Sequence, residues 1–208
     1  MNKLVFLGDS ITDADHLWLH DGRGLGNGYV SLLAPRLEAL YPDIRIWNKG
    51  QDGFTAAAVL RSLDFNCLKQ KPDAVSLLVG VNDVAVAKNT GVSLDSLGFR
   101  GQLHEILKKL LDSGVQQVFC MGPFLFPMPL EFVSWFPDIK KAEDIMRKEA
   151  ESFHLPFLPL HEILNQSAAD LGVSTVTTDG IHLTGHGHQI LSDLWLKAFC
   201  CPSGTFRS

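Results

Sequence analysis

The stretch DAVSLLVG at residues 73–80 constrains this chain more than any other. Six residues, 74–79, hold a single polar side chain, Ser76. The run is too short for a typical helix, and as a strand it is apolar on both faces. Such a strand needs cover on both sides, which is the condition of a parallel sheet lying between helical layers. Similar short runs recur at 3–7, 44–47, 117–121 and 157–160. Helical patterns separate them. Val30, Leu33, Leu37 and Leu40 share one face, and 56–68 reads as a second helix. Leu103, Ile106, Leu107, Leu110 and Leu111 form a stripe that Gly114 ends. The charged segment 138–153 and the Ile190, Leu191, Leu194, Trp195, Ala198 stripe follow. Alternation of this kind specifies an α/β chain with right-handed crossovers. Pro35 falls inside the first helical pattern and predicts either a kink or a helix start delayed until Pro35 lies in the first turn.

With 208 residues, one α/β domain over 1–208 is expected. Hydrophobic residues at 46% and charged residues at 20% are ordinary for a globular protein. The net charge of −5 comes without a basic block, so no nucleic-acid partner is expected. No apolar run reaches the length of a membrane span. The apolar run at the start is too short for a secretory leader and lacks a cleavage site. Cys67, Cys120, Cys200 and Cys201 form no C-x-x-C pair, which points to reduced thiols and a cytoplasmic setting.

Chemistry gathers at the expected strand ends. Ser10 follows the first strand in LVFLGDSIT. Alone, a serine there is a helix cap; as a nucleophile it needs a base, and the base an orienting partner. TDGIHLTGHGH supplies both, because Asp179 stands three residues before His182 and the two can meet within one turn. The order Ser, Asp, His occurs in α/β-hydrolases, but their G-x-S-x-G signature is missing, since Thr12 occupies the last glycine position. WNKGQDGFT and VGVND follow the second and third strands and offer oxyanion donors: glycine N–H groups and the Asn82 amide. Two long loops, 11–28 and 122–137, leave the same sheet edge, where ligands of open parallel sheets bind.

These blocks closely resemble the SGNH hydrolases, also called GDSL esterases and lipases, over nearly the whole chain. GDSIT carries Ser10, NKGQDGFT carries Gly53 (preferred over Gly50 by its place before Phe54 and Thr55), GVND carries Asn82, and DGIHLT carries Asp179 and His182. The resemblance implies a three-layer α/β/α, flavodoxin-like fold whose five parallel strands run in the order 2-1-3-4-5. It also implies an oxyanion hole formed by the N–H groups of Ser10 and Gly53 with Asn82. Leu183 and Ile11 stand where many relatives have proline and leucine, and both exchanges leave the catalytic groups in place.

The remaining candidates are contacts. Asp9 is set down as a loop brace or a substrate contact, Asp13 as a loop residue or a substrate contact, and Asp83 as a brace for its turn. Phe124 and Trp135, in the aromatic loop, could wall a pocket or pack against the domain or a second subunit, which leaves a homo-oligomer open. His182, His186 and His188 suggest a metal, but H-E-x-x-H is absent and Gly185 and Gly187 should interrupt a helix, so His186 and His188 are read as start-of-helix residues near the pocket. No metal or other cofactor is expected. The reading is a serine esterase acting on a small-molecule ester, such as an O-acetyl group on a carbohydrate. A lysophospholipase or thioesterase, and a binding protein without turnover, are the alternatives.

Overall fold

A computed structural model describes residues 1–16 and 24–200. Five parallel strands, β1 (Lys3–Gly8), β2 (Arg45–Gly50), β3 (Ala74–Leu78), β4 (Gln117–Met121) and β5 (Phe157–Leu158), lie in the order 2-1-3-4-5. The helices are α1 (Ser10–Asp13), α2 (Tyr29–Leu40), α3 (Ala56–Asn66), α4 (Val81–Thr90), α5 (Phe99–Asp112), α6 (Phe136–Ser152), α7 (His161–Leu171), α8 (Val173–Val176) and α9 (Gly185–Cys200). One group, α2 with α9, and another, α3 with α5 and α5 with α6, cover the sheet and complete the three layers. Among the described residues, no helix is long and apolar enough to cross a membrane.

Every residue of β3 is buried, as its two-faced apolar pattern requires. Its one polar side chain is satisfied: Trp195 of α9, fully buried, donates its indole N–H to Ser76 Oγ at 2.9 Å. The Trp195 ring also meets Phe6 at 5.4 Å and Phe119 at 5.6 Å, which ties α9 to β1 and β4.

Three expectations need correction. The last strand stops at Leu158 instead of 160, because β4, the strand it pairs with, ends at Met121, the register partner of Leu158. The first long helix starts at Tyr29 and runs through Pro35, so of the two outcomes expected of that proline the delayed start is excluded. Burial of Val30, Leu33, Ala34 and Leu37 offsets the lost hydrogen bond. The last helix begins at Gly185 and contains Gly187, so these glycines do not interrupt it. Gly187 is required by contact: a Cβ there would lie 2.1 Å from the Val176 carbonyl oxygen. The HDGRGLGNG stretch of the first loop falls partly outside the described residues, as does Cys201.

Candidate active site

The strands deliver the site to one edge. Gly8, the last residue of β1, pairs with Gly50 of β2 on one side and Leu78 of β3 on the other. The segments that follow these strands therefore flank Ser10 from both sides. Asp9 caps α1: its Oδ1 accepts the Ile11 N–H at 3.0 Å. The cap is thus Asp9 and not Ser10, and the serine hydroxyl is left for other work. Asn48, near the end of β2, holds the chain beyond the serine. Its Nδ2 donates to the carbonyls of Thr12 at 2.6 Å and Leu25 at 2.9 Å, while its Oδ1 accepts the Gly50 N–H at 3.0 Å.

Ser10 Oγ lies 2.9 Å from His182 Nε2, and His182 Nδ1 lies 2.6 Å from Asp179 Oδ2. The assignment that satisfies both bonds has the serine O–H donating to Nε2 and the Nδ1–H donating to the carboxylate. Asp179 Oδ1 also accepts the N–H groups of Ile181 at 2.9 Å and His182 at 2.7 Å. Desolvation pushes the Asp179 carboxyl up, but the hydrogen bonds from His182 and Ile181 outweigh it and hold the carboxyl below its ordinary value. A charged Asp179 is what orients an imidazole and stabilises its protonated form.

The turn that carries this pair is pinned by backbone. The His182 carbonyl accepts the Thr178 N–H at 3.0 Å and the Thr177 hydroxyl at 2.7 Å. Gly180 gives its carbonyl to the Phe126 N–H at 2.8 Å. Gly180 has φ +93°, and a Cβ there would stand 1.7 Å from the Met128 carbonyl oxygen, so no other residue fits. The aromatic loop therefore serves as a mount for the Asp179–His182 turn.

Gly53 and Asn82 occupy the two flanks. Gly53, with φ +72°, sits in the turn between β2 and α3, and Asn82 in the first turn of α4. The two segments are joined. Asn82 Nδ2 donates to the Phe54 carbonyl at 3.0 Å, and both Asp83 carboxyl oxygens accept the Ala56 N–H, at 3.1 and 3.2 Å. Asp83 is thus the expected brace, and it braces the Gly53 turn as well as its own. Burial pushes the Asp83 carboxyl up to about 6. Desolvation also raises Asp9, to about 7, with a further push from Asp83 against a pull from the Ile11 hydrogen bond. Asp9 Oδ2 is buried with no hydrogen-bond partner among the described residues.

Ser10 and His182 open onto a cavity of about 500 Å³. Asp13, Asp15, Asp52, Asn27 and His188 supply its polar lining. Asp13 was expected here, but its carboxylate is also occupied, by His16 Nδ1 at 2.8 Å and the Asp52 N–H at 3.0 Å. Three expected contacts lie elsewhere. Asp9 is 1% exposed beneath the serine, because it is spent on the cap, so it cannot touch a substrate. Phe124 is fully buried against Phe126, because the start of the aromatic loop turns into the core. Trp135 packs on Phe132 at 4.9 Å and does not line the cavity. His182, His186 and His188 do not act as one ligand set, since His182 faces Ser10 and Asp179 while His188 accepts the Tyr29 N–H. Asn48 and the Asp52 contact were missed. No local signal marked Asn48, because its partners Thr12 and Leu25 lie far from it in the chain.

The model of the GDSL-like lipase/acylhydrolase family matches residues 6–190. An acetylxylan esterase from Geobacillus stearothermophilus is 29% identical over 210 residues, covering 94% of this chain and 92% of its own length. The crystal structure of an acetylxylan esterase from the same organism superposes with a TM-score of 0.83 at 27% identity, covering 94% of this chain and 93% of that one. An alpha/beta hydrolase from the metagenome of Lake Arreo, Spain, gives a TM-score of 0.84 at 26% identity, covering 96% and 95% of the two chains.

Proposed function

The chain belongs to the GDSL-like lipase/acylhydrolase family and is a carboxylic ester hydrolase, and we propose that it removes acetyl groups from a carbohydrate through an acyl-enzyme on Ser10. The observation that carries the mechanism is the unbroken relay Asp179–His182–Ser10, with contacts of 2.6 and 2.9 Å. Ser10 Oγ attacks the ester carbonyl as His182 Nε2 takes its proton. The charge that develops on the carbonyl oxygen is held by the N–H groups of Ser10 and Gly53 and the Asn82 amide. His182 then returns the proton to the leaving alcohol. Water, activated by the same imidazole, releases acetate and restores Ser10.

The substrate reading rests on the cavity. Its lining is rich in groups that bond hydroxyls, and the aromatic side chains that could wall a long acyl groove are buried or turned away. Similarity to an acetylxylan esterase supports the same choice. A cytoplasmic setting belongs to the proposal and is supported by the unpaired, buried thiols of Cys67 and Cys120. The test is a chain-length series of p-nitrophenyl esters with an acetylated xyloside alongside. Acetate should be preferred over octanoate, and Ser10→Ala should abolish turnover while the protein stays folded. A preference for octanoate, or hydrolysis surviving in the alanine variant, would overturn the proposal.

A further inference from the structure

A second histidine faces the site. His188, in the first turn of α9, lines the same cavity as Ser10 and His182 and is 8% exposed. Its Nδ1 accepts the backbone N–H of Tyr29, the first residue of α2, at 3.2 Å. That N–H has no partner within its own helix, so the bond closes a helix end as well as holding the ring. The ring lies nearly parallel to Tyr29, with centroids 6.5 Å apart and planes 13° from each other. Gly28 admits it, since a Cβ there would come within 2.9 Å of Cε1.

Two consequences follow for the free nitrogen. With its lone pair on Nδ1 given to Tyr29, the neutral ring must carry its hydrogen on Nε2. The ring also stays neutral, because desolvation, aided by the charge of a protonated His182, lowers it to about 4. Nε2 has no hydrogen-bond partner among the described residues. The site therefore holds an uncharged donor of fixed orientation beside the catalytic histidine. Because it stays uncharged, it does not oppose the imidazolium that His182 becomes during turnover.

Position assigns it to one part of the substrate. His182 must reach the leaving oxygen, so the alcohol lies on the His182 side, where Leu183, Gly185 and His188 line the cavity. On the mechanism proposed above the carbonyl oxygen goes to Gly53 and Asn82, which are not among the residues lining the cavity beside His188. We infer that His188 Nε2–H binds an oxygen of the alcohol portion, a hydroxyl or ring oxygen of the sugar, and thereby selects polyhydroxylated leaving groups. This rests on the acetyl-carbohydrate reading above.

The test uses two variants and two esters. His188→Asn keeps an oxygen able to accept the Tyr29 N–H but loses the donor in the cavity. His188→Gln places an amide donor near the Nε2 position. On a mono-acetylated methyl xyloside, His188→Asn should lower kcat/KM about tenfold, the size of one hydrogen bond, mostly through KM. On p-nitrophenyl acetate, whose leaving group offers no sugar oxygen, the change should stay within about twofold. His188→Gln should recover part of the xyloside activity. An equal loss on both esters, or no loss on either, would overturn the inference. If the unmodified enzyme hydrolyses p-nitrophenyl acetate but no acetylated sugar, the substrate reading itself has failed, and this inference fails with it.

Discussion

Replacing Asp179 with asparagine separates the chemical role of this residue from its structural one. The carboxylate makes three hydrogen bonds: Oδ1 accepts two backbone N–H groups, at 2.9 and 2.7 Å, and Oδ2 meets His182 Nδ1 at 2.6 Å. In the asparagine variant the amide oxygen can keep both backbone bonds. A flipped amide would aim its NH2 at two donors, so the amide is held in one orientation. Its NH2 then faces Nδ1, and the imidazole must present a lone pair there and carry its hydrogen on Nε2. An Nε2–H cannot accept the proton of Ser10. The expected loss in kcat is about 10⁴-fold, or roughly 5.5 kcal/mol of transition-state stabilisation. KM and the melting temperature should change little. Asp179→Ala should show a similar loss of activity but also melt a few degrees lower, because two backbone donors lose their acceptor, each bond being worth about 1 kcal/mol net of competition from water. Steady-state kinetics on p-nitrophenyl acetate with thermal melts by circular dichroism read both effects. Retention of more than a tenth of wild-type kcat by the asparagine variant would refute the tautomer argument. Equal melting of the two variants would refute the structural half.

Three further outcomes are expected. Gly180→Ala should lower kcat/KM by about 10²-fold or more with a clear drop in melting temperature, since its Cβ meets the Met128 carbonyl at 1.7 Å; wild-type activity would show that the aromatic loop does not mount the turn. Asp83→Ala should destabilise the fold by about 1–3 kcal/mol by orphaning the buried Ala56 N–H and should also slow turnover, whereas Asp83→Asn, which keeps an acceptor, should do neither at neutral pH; the two variants behaving alike would contradict this. Asp9 is raised from 3.8 to about 7, so the folded state holds its proton more tightly than the unfolded chain: that contribution is complete below about pH 4 and is lost as pH rises through about 7. Asp9→Asn resembles the protonated form, so it should be more stable than wild type at pH 8, by several kcal/mol at most, and indistinguishable from it near pH 4; urea midpoints showing the same difference at both pH values would rule this out.

What the sequence made legible was local. Asp179 and His182 lie three residues apart, so their meeting needed only one turn. β3 declared itself because both of its faces are apolar, and Ser10 was located by the end of β1. What stayed hidden was the direction that irregular segments face. Phe124 looked like a pocket wall because it stands in a long loop, yet that loop turns into the core, and no periodicity encodes the turn. Asp9 looked available as a contact until its cap to Ile11 placed it beneath the serine. Asn48 joins residues far from it in the chain, and a bond of that kind leaves no local pattern. His188 stood out in the sequence as a neighbour of the pocket, but its partner, Tyr29, lies 159 residues away.

Each hydrolytic cycle ends with an anion formed beside Ser10. Among the described residues lining that cavity are three carboxylates, Asp13, Asp15 and Asp52, and no lysine or arginine. Such a chamber holds a neutral ester but repels the acid made from it, and the repulsion weakens as salt screens it. Acetate should therefore be a poor product inhibitor at low ionic strength and a somewhat better one at high, a trend that initial rates with added sodium acetate would reveal. A cationic lining would trap the product and show the opposite trend. The charge of the cavity thus limits product inhibition by clearing the site for the next ester.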